Sequence, residues 1–233
     1  MDEVETSEVA ARAPRTGIGR MTRSQAEGSV EARSRQAAGR LADAAAEAGL
    51  LDVAYGIADS PFGPLLVAVT RRGLVRVEYP DRDVEDELER LAEEVSPRIL
   101  ESPRATEPIR RELDEYFAGS RRRFSVPVDL TPVKGFNRRV LDQTARIPFG
   151  TVATYRDVAS RAGSPRGMRA AGNALSSNPV PIVVPCHRVV HSGGGLGGYT
   201  GGLERKILLL RLEGALDDDA PEGKRRRSPH SRG

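Results

Sequence analysis

Cysteine occurs once in the 233 residues, as Cys186, and histidine three times. A single thiol excludes an intramolecular disulfide and any zinc site built from several cysteines. Three histidines leave too few further ligands for a structural metal centre, so neither a metal nor another cofactor is expected. No apolar run approaches the roughly 20 residues of a membrane span, and the N-terminus has no apolar signal-peptide core. A soluble, cytoplasmic protein with no membrane partner is the expectation. Aromatic residues are missing from residues 1–50 and again from 217–233. The head is rich in Ala, Arg, Glu, Gly and Ser, a composition that buries too little surface to fold alone. Disorder is expected over 1–50, although Ala32 to Gly49 could make an alanine-rich helix with a thin apolar face. The 216–233 tail runs from Asp217-Asp218-Asp219 into Lys224-Arg225-Arg226-Arg227 and is also read as disordered. Weak, salt-sensitive attraction to phosphate and simple solvation are both open for it.

Between these ends the chain is long enough for one large domain or two small ones. Leu65 to Val69 and Leu74 to Tyr79 are strand-like, with Arg71-Arg72-Gly73 as a hairpin turn. Asp83 to Val95 has helical spacing, with Val84, Leu88, Leu91 and Val95 on one stripe. Ile109, Leu113, Tyr116 and Phe117 form a second stripe, ended by Gly119. Residues 51–130 therefore read as a small α+β unit. From Asp81 to Glu115 it carries thirteen acidic and six basic residues, a poor surface for nucleic acid.

The charge then changes sign. From Lys134 to Leu203 there are nine Lys and Arg against Asp142 and Asp157. One helix is expected from about Gly135 to Arg146, stopping at Ile147-Pro148. A short one follows Thr154, where Thr154 and Asp157 have capping-box spacing, and ends at Gly163. Ser164-Pro165 reads as an N-cap and first helical position for a helix running to about Ser176. Two short helices across a tight turn predict a helix-turn-helix. The small residues of the second, Ala170, Ala171, Gly172 and Ala174, serve close approach to DNA or close helix packing, and the positive balance favours nucleic acid. A last helix, Leu203 to Leu212, carries an apolar stripe at Leu203, Ile207 and Leu210. Glu213 at its end opposes the macrodipole, either as surface charge or turned inward to orient an imidazole.

Cys186 sits in Val183-Val184-Pro185-Cys186-His187-Arg188-Val189-Val190. An apolar strand-like run precedes it and the glycine-rich Gly193 to Gly202 follows. A lone cysteine among valines is ordinarily a small buried hydrophobe. The adjacent proline, the His-Arg pair and the open loop instead suit a thiol at the rim of a pocket, where a positive field favours the thiolate.

Pro185-Cys186-His187-Arg188-Val189, preceded by Asn178-Pro179-Val180-Pro181, resembles the active-site segment of the O6-alkylguanine-DNA alkyltransferases. The resemblance runs through Tyr199-Thr200-Gly201-Gly202-Leu203 to Glu213-Gly214. It reaches back through Ile147-Pro148-Phe149-Gly150, Thr154-Tyr155 and Arg169 to Ala174, and more weakly to Leu113 to Gly119. It implies an α+β protein: a small ribonuclease H-like domain over 51–130, then a helical, winged-helix-type DNA-binding and catalytic domain over 131–215. It implies irreversible, single-turnover transfer of a methyl (alkyl) group from O6-methylguanine, and from O4-methylthymine, in double-stranded DNA to Cys186. The protein would act as a monomer with no required protein partner.

The resemblance also implies roles. Cys186 is the nucleophile and acceptor, His187 a base acting through a water, and Glu213 the orienter of that imidazole. Asn178 fixes the turn below the cysteine, and Tyr155 gives a proton to the departing guanine. Arg169 enters the base stack in place of an extruded nucleotide, with Thr154, Tyr155, Ala170 and Gly172 beside it at the DNA. Pro181, Val189, Tyr199 and Thr200 wall the base pocket. Three rivals stand beside this reading. A damage sensor of the alkyltransferase-like class has tryptophan in place of the cysteine, so Cys186 argues against it. A cysteine hydrolase would need His and Asn or Asp elsewhere. A transcription regulator would use the helix-turn-helix alone.

Overall fold

The computed structural model of the chain describes residues 23–79, 81 and 83–217. They fall into two compact units, 1–37 and 38–233. Among the described residues, the first unit is the N-terminal part of helix α1 (Arg23–Glu47). Over Arg23–Glu47 the chain is helical where composition pointed to disorder, and the helix takes in most of Ala32 to Gly49, the stretch for which a helix was open. Alanine, arginine and glutamate are strong helix formers. Within the second unit the end of α1 also has a seat: Ala42 is fully buried, and the Asp43 carboxylate lies 3.8 Å from Arg104. The expectations for residues 1–22 and for the basic tail fall outside the described residues.

The second unit opens with a four-stranded sheet in the order β3-β2-β1-β4. Strands β1 (Val53–Ala58), β2 (Leu65–Thr70) and β3 (Gly73–Glu78) form an antiparallel meander, and the short β4 (Ile99–Glu101) lies parallel to β1. The turn into β3 needs Gly73, whose φ is +134° and whose Cβ would lie 2.2 Å from the Pro127 carbonyl oxygen. Side chains alternate across a strand. Leu65 and Val67 accordingly face α3 (Pro103–Phe117), which brings Ile109, Leu113 and Tyr116, whereas Leu66 and Ala68 join Leu91 of α2 (Val84–Glu94). Both faces are covered, so β2 reads as an unbroken apolar run. The stripe expected for α2 is shifted. Val84 is 43% exposed, and Glu87 turns inward because its carboxylate meets the buried Arg76 at 2.9 Å.

The chain then runs along β3, where the Leu74 amide donates to Pro127 and the Asp129 amide to Leu74, before entering the helical part. There α4 (Gly135–Thr144), α5 (Tyr155–Arg161) and α6 (Met168–Ser176) enclose Val140, Leu141, Val158, Ala171 and Ala174. Helix α6 starts three residues later than expected. The Gly167 amide donates to the Ser164 carbonyl at 2.8 Å, so Ser164 opens a turn and Gly167 becomes the N-cap. Strands β5 (Ala153–Thr154) and β6 (Val189–Val190) pair in parallel, and α7 (Leu203–Leu212) closes the described fold. The run before Cys186 is not a strand. The Val184 amide donates to Val180, and Ile182 takes φ +73°, a strained conformation for a β-branched residue. No helix among the described residues is long and apolar enough to cross a membrane.

Thr154 caps α5: its hydroxyl accepts from the Asp157 amide, while the Asp157 carboxylate accepts from the Thr154 amide. Replacing a capping hydroxyl costs about 1 kcal/mol. Thr154→Ala is therefore expected to lower the urea unfolding free energy by about that amount, and an unchanged midpoint would show that the cap is idle.

Candidate active site

Cys186 opens a 3₁₀ turn, Cys186–Arg188, that hands the chain to β6. Asn178, just past the end of α6, holds the turn in place. Its Nδ2 donates to the Val184 carbonyl at 2.8 Å and to Cys186 Sγ at 3.2 Å, and its Oδ1 accepts from the Val180 amide. One side chain thus sets both the loop and the sulfur. The thiol lies at the base of a cavity of about 270 Å³ lined by Tyr155, Gly172, Leu175, Ser176, Cys186, Gly198, Tyr199 and Thr200. It is 4% exposed, so it is not at a rim. Burial pushes its pKa up to about 11, partly offset by the Asn178 hydrogen bond and the charge of Lys206. The resting sulfur is consequently a thiol at neutral pH, contrary to the expectation of a thiolate.

Behind the cysteine the chain has built a charged cluster around Glu213. The Tyr116 hydroxyl donates to Oε1 at 2.7 Å, Arg188 Nη2 to Oε1 and Nε to Oε2 at 2.8 Å each, and the Gly150 amide lies 3.4 Å from Oε2. His187 Nε2 is 2.9 Å from Oε1. Although desolvation opposes it, these partners hold the Glu213 pKa down to about 2. An ionised carboxylate only accepts, so the proton of a neutral imidazole must sit on Nε2. Burial lowers the His187 pKa and keeps the ring neutral. Nδ1 is then a lone-pair base, fully buried and without a hydrogen-bond partner among the described residues. Glu213 is thus turned inward, 5% exposed and against the imidazole, and no hydrogen bond joins Cys186 to His187.

The other expected residues divide. Tyr155 and Thr200 stand on the cavity wall, with the Tyr155 hydroxyl donating to Gly198 (3.3 Å) and Thr200 Oγ1 to Ser176 (3.0 Å). Gly197 has φ +73°, and a Cβ on it would lie 2.8 Å from the Tyr155 hydroxyl. Tyr199 lines the cavity with its ring 6.2 Å from that of His187, edge to face. Pro181 and Val189 do not line it. Pro181 is buried in the loop ahead of Ile182, and Val189 is fully buried in β6, where it pairs with Ala153. Arg169 and Ala170 lie exposed on the first turn of α6, whereas Ala171 and Ala174 are fully buried. Close packing and an open face thus belong to opposite sides of one helix. Thr154 commits its hydroxyl to the cap.

Sequence reasoning missed four contributors. Tyr116 passed as a core aromatic, and Arg188 as a general positive field. His191 lies with its ring 5.0 Å from that of Tyr155. Lys206 is fully buried, donating from Nζ to the carbonyls of Val189 (2.6 Å) and Gly198 (3.2 Å), and burial lowers its pKa to about 8. The inward stripe of α7 is Lys206, Leu209 and Leu210 leading to Glu213, with Leu203 45% exposed. A lysine three residues from Leu203 and four before Leu210 was the available signal.

Glu213 and His187 both bind fewer protons folded than unfolded, so each makes stability rise with pH. The His187 contribution is complete above about 6.5 and is lost as pH falls below that value. The Glu213 contribution is complete above about 4.5 and is lost on the way down to about 2. Urea unfolding free energy is expected to fall steadily from pH 7 to pH 4. Glu213→Gln leaves Arg188 buried without its counter-charge and is expected to cost about 3 kcal/mol or more at pH 7. Parent-like stability of that variant would show that the cluster is not held by charge.

Comparison with known proteins places this geometry. Residues 53–130 match the family model described as 6-O-methylguanine DNA methyltransferase, ribonuclease-like domain, and residues 135–215 match its DNA binding domain. A methylated-DNA–protein-cysteine methyltransferase of Methanosarcina acetivorans is 36% identical over 170 residues, covering 69% of this chain and 98% of that protein. One from Mycobacterium leprae is 38% identical over 162 residues, 66% of this chain and 88% of that one. The crystal structure of Mycobacterium tuberculosis O6-methylguanine methyltransferase superposes with a TM-score of 0.61 at 35% identity, over 72% of this chain and 95% of that one. Mycobacterium tuberculosis OGT in complex with DNA gives 0.60 at 34% identity, over 69% and 92%. The α+β fold is thus a ribonuclease-like domain followed by a DNA-binding one, and the chain belongs to the family of methylated-DNA–protein-cysteine methyltransferases.

Proposed function

We propose that the protein repairs DNA by moving a methyl group from O6-methylguanine irreversibly onto Cys186 Sγ, with O4-methylthymine and larger alkyl groups as further substrates. The observation that carries this reading is a lone thiol, fixed by Asn178, at the base of a cavity on a helix-turn-helix domain. The sulfur attacks the methyl carbon, an S–C bond forms, and the C–O6 bond breaks. The thiol proton passes through a water to Nδ1 of His187, which Glu213 orients through Nε2, the logic of nucleophile, base and orienter. Tyr155 supplies a proton to the purine as charge develops on it, and is reprotonated from the imidazolium, so guanine leaves neutral. A thiol of pKa about 11 needs this arrangement.

The DNA side follows from charge. Asp142 is paired with Arg138 and Asp157 is used in the cap, while Arg156, Arg161, Arg166 and Arg169 are exposed. Arg169 fills the place of the extruded nucleotide, and Ala170 and Gly172 let the backbone come close. Double-stranded DNA is the partner, and the protein acts as a cytoplasmic monomer. Cys186 separates this reading from a sensor that binds the lesion without repair.

Incubation with a duplex containing O6-methylguanine is expected to raise the protein mass by one methyl group, mapped to Cys186, with one equivalent per chain. An unchanged mass, or continued turnover beyond one equivalent, refutes it. Arg169→Ala removes one cation, a small part of the salt-dependent affinity. It is expected to slow repair of a paired lesion more than that of a mismatched or single-stranded one. Equal losses on all three substrates would remove the extrusion role.

A further inference from the structure

Tyr199 walls the cavity from a loop that contains Gly193, Gly194, Gly195, Gly197, Gly198, Gly201 and Gly202. Glycine backbone has the most freedom to lose on ordering, so one aromatic ring on such a loop needs external anchors. Four anchors reach its backbone or its neighbours: Lys206 and the Tyr155 hydroxyl to Gly198, Thr200 to Ser176, and Arg205 Nη1 to the Gly201 carbonyl at 3.0 Å. The fifth reaches the ring itself and comes from the other domain. The Tyr79 hydroxyl, just past the end of β3, lies 2.6 Å from the Tyr199 hydroxyl, and the two rings meet edge to face at 6.2 Å.

Tyr79 is itself locked. It is 3% exposed, packs edge to face on Phe62, and carries the Arg205 guanidinium 4.6 Å above its ring. Arg205 in turn donates from Nη2 to Asp81 at 2.7 Å. Gly201 passes so close that a Cβ there would lie 2.6 Å from Tyr79 Cε2. Beside this, the Val77 amide donates to the Pro179 carbonyl at 2.9 Å, joining β3 to the segment that Asn178 organises.

We infer that Tyr79 is a positioning residue for alkyl transfer, through which the ribonuclease-like domain fixes the Tyr199 wall of the base cavity. The inference rests on Cys186 being the alkyl acceptor. The Tyr79 hydroxyl is hydrogen-bonded to Tyr199 and not to the thiol or to His187. It acts through the hydroxyl pair, which holds the Tyr199 ring where it faces both the cavity and the His187 imidazole.

Tyr79→Phe keeps the ring, its seat on Gly201 and its contact with Arg205, and removes only the hydroxyl. Single-turnover methyl transfer, measured across DNA concentrations, separates maximal rate from DNA affinity. The maximal rate is expected to fall about fivefold to tenfold, the scale of one hydrogen bond, with DNA Kd unchanged and the thermal midpoint lowered by about 2–4 °C. In a Tyr199→Phe background the same change is expected to cause no further loss, because the partner hydroxyl is already gone. A parental rate in Tyr79→Phe, or an equal further loss in the Tyr199→Phe background, overturns the inference. Iodoacetamide labelling of Cys186 needs no DNA and gives an independent reading. A loosened wall is expected to make labelling severalfold faster in Tyr79→Phe, and unchanged or slower labelling counts against it. If the parent itself accepts no methyl group, the functional reading fails and the labelling comparison alone decides the role of Tyr79.

Discussion

The buried carboxylate of Glu213 is the constraint on which the active half of the molecule depends. An ionised group out of water must be matched by donors or it neutralises. Here the donors come from three separate places in the chain: Tyr116 on α3, Gly150 in the loop before β5, and His187 and Arg188 on the cysteine turn, with Glu213 itself capping α7. Meeting that requirement pulls α3 of the ribonuclease-like domain, the loop, the turn and the last helix onto one point. The same charge fixes the tautomer of His187 and so decides which nitrogen is basic.

The cysteine turn is held from its other side by an amide rather than a charge. Asn178 uses both ends of its side chain to tie Val180, Val184 and Sγ together across a segment that includes Ile182 at φ +73°. Backbone strain of this kind persists only where the surroundings over-determine it. Glu213 behind and Asn178 beside the turn supply that determination, and Asn178, just past the end of α6, ties the same cysteine to that helix.

Much of this was legible from the residues. The β2–β3 hairpin follows from two apolar runs around Arg71-Arg72-Gly73, and the capping box of α5 from Thr154 and Asp157. The Pro-Cys-His-Arg segment with Glu213 identifies the chemistry. What stayed hidden depends on contacts distant in sequence. Nothing local distinguishes Tyr116 from the other apolar members of its stripe, because its partner is 97 positions away. The inward turn of Glu87 required Arg76, and a three-residue β4 carries no periodicity. Pro181 and Val189 have the hydrophobic character of a pocket wall, but backbone pairing and the Ile182 turn decide where they point. The helix over Arg23–Glu47 shows the converse error, since a composition poor in aromatics excludes a core but not a helix.

The depth at which Cys186 lies has a consequence for how long each molecule lasts. A protein that reacts once has no second chance, so any encounter of its sulfur with an oxidant or a stray electrophile removes that copy from service as surely as a repaired lesion does. Oxidation and thiol exchange proceed through the exposed thiolate. A protonated sulfur that is 4% exposed offers them almost nothing to attack. Side reactions of the sulfur are thereby slowed, and the molecule trades intrinsic reactivity for shelf life.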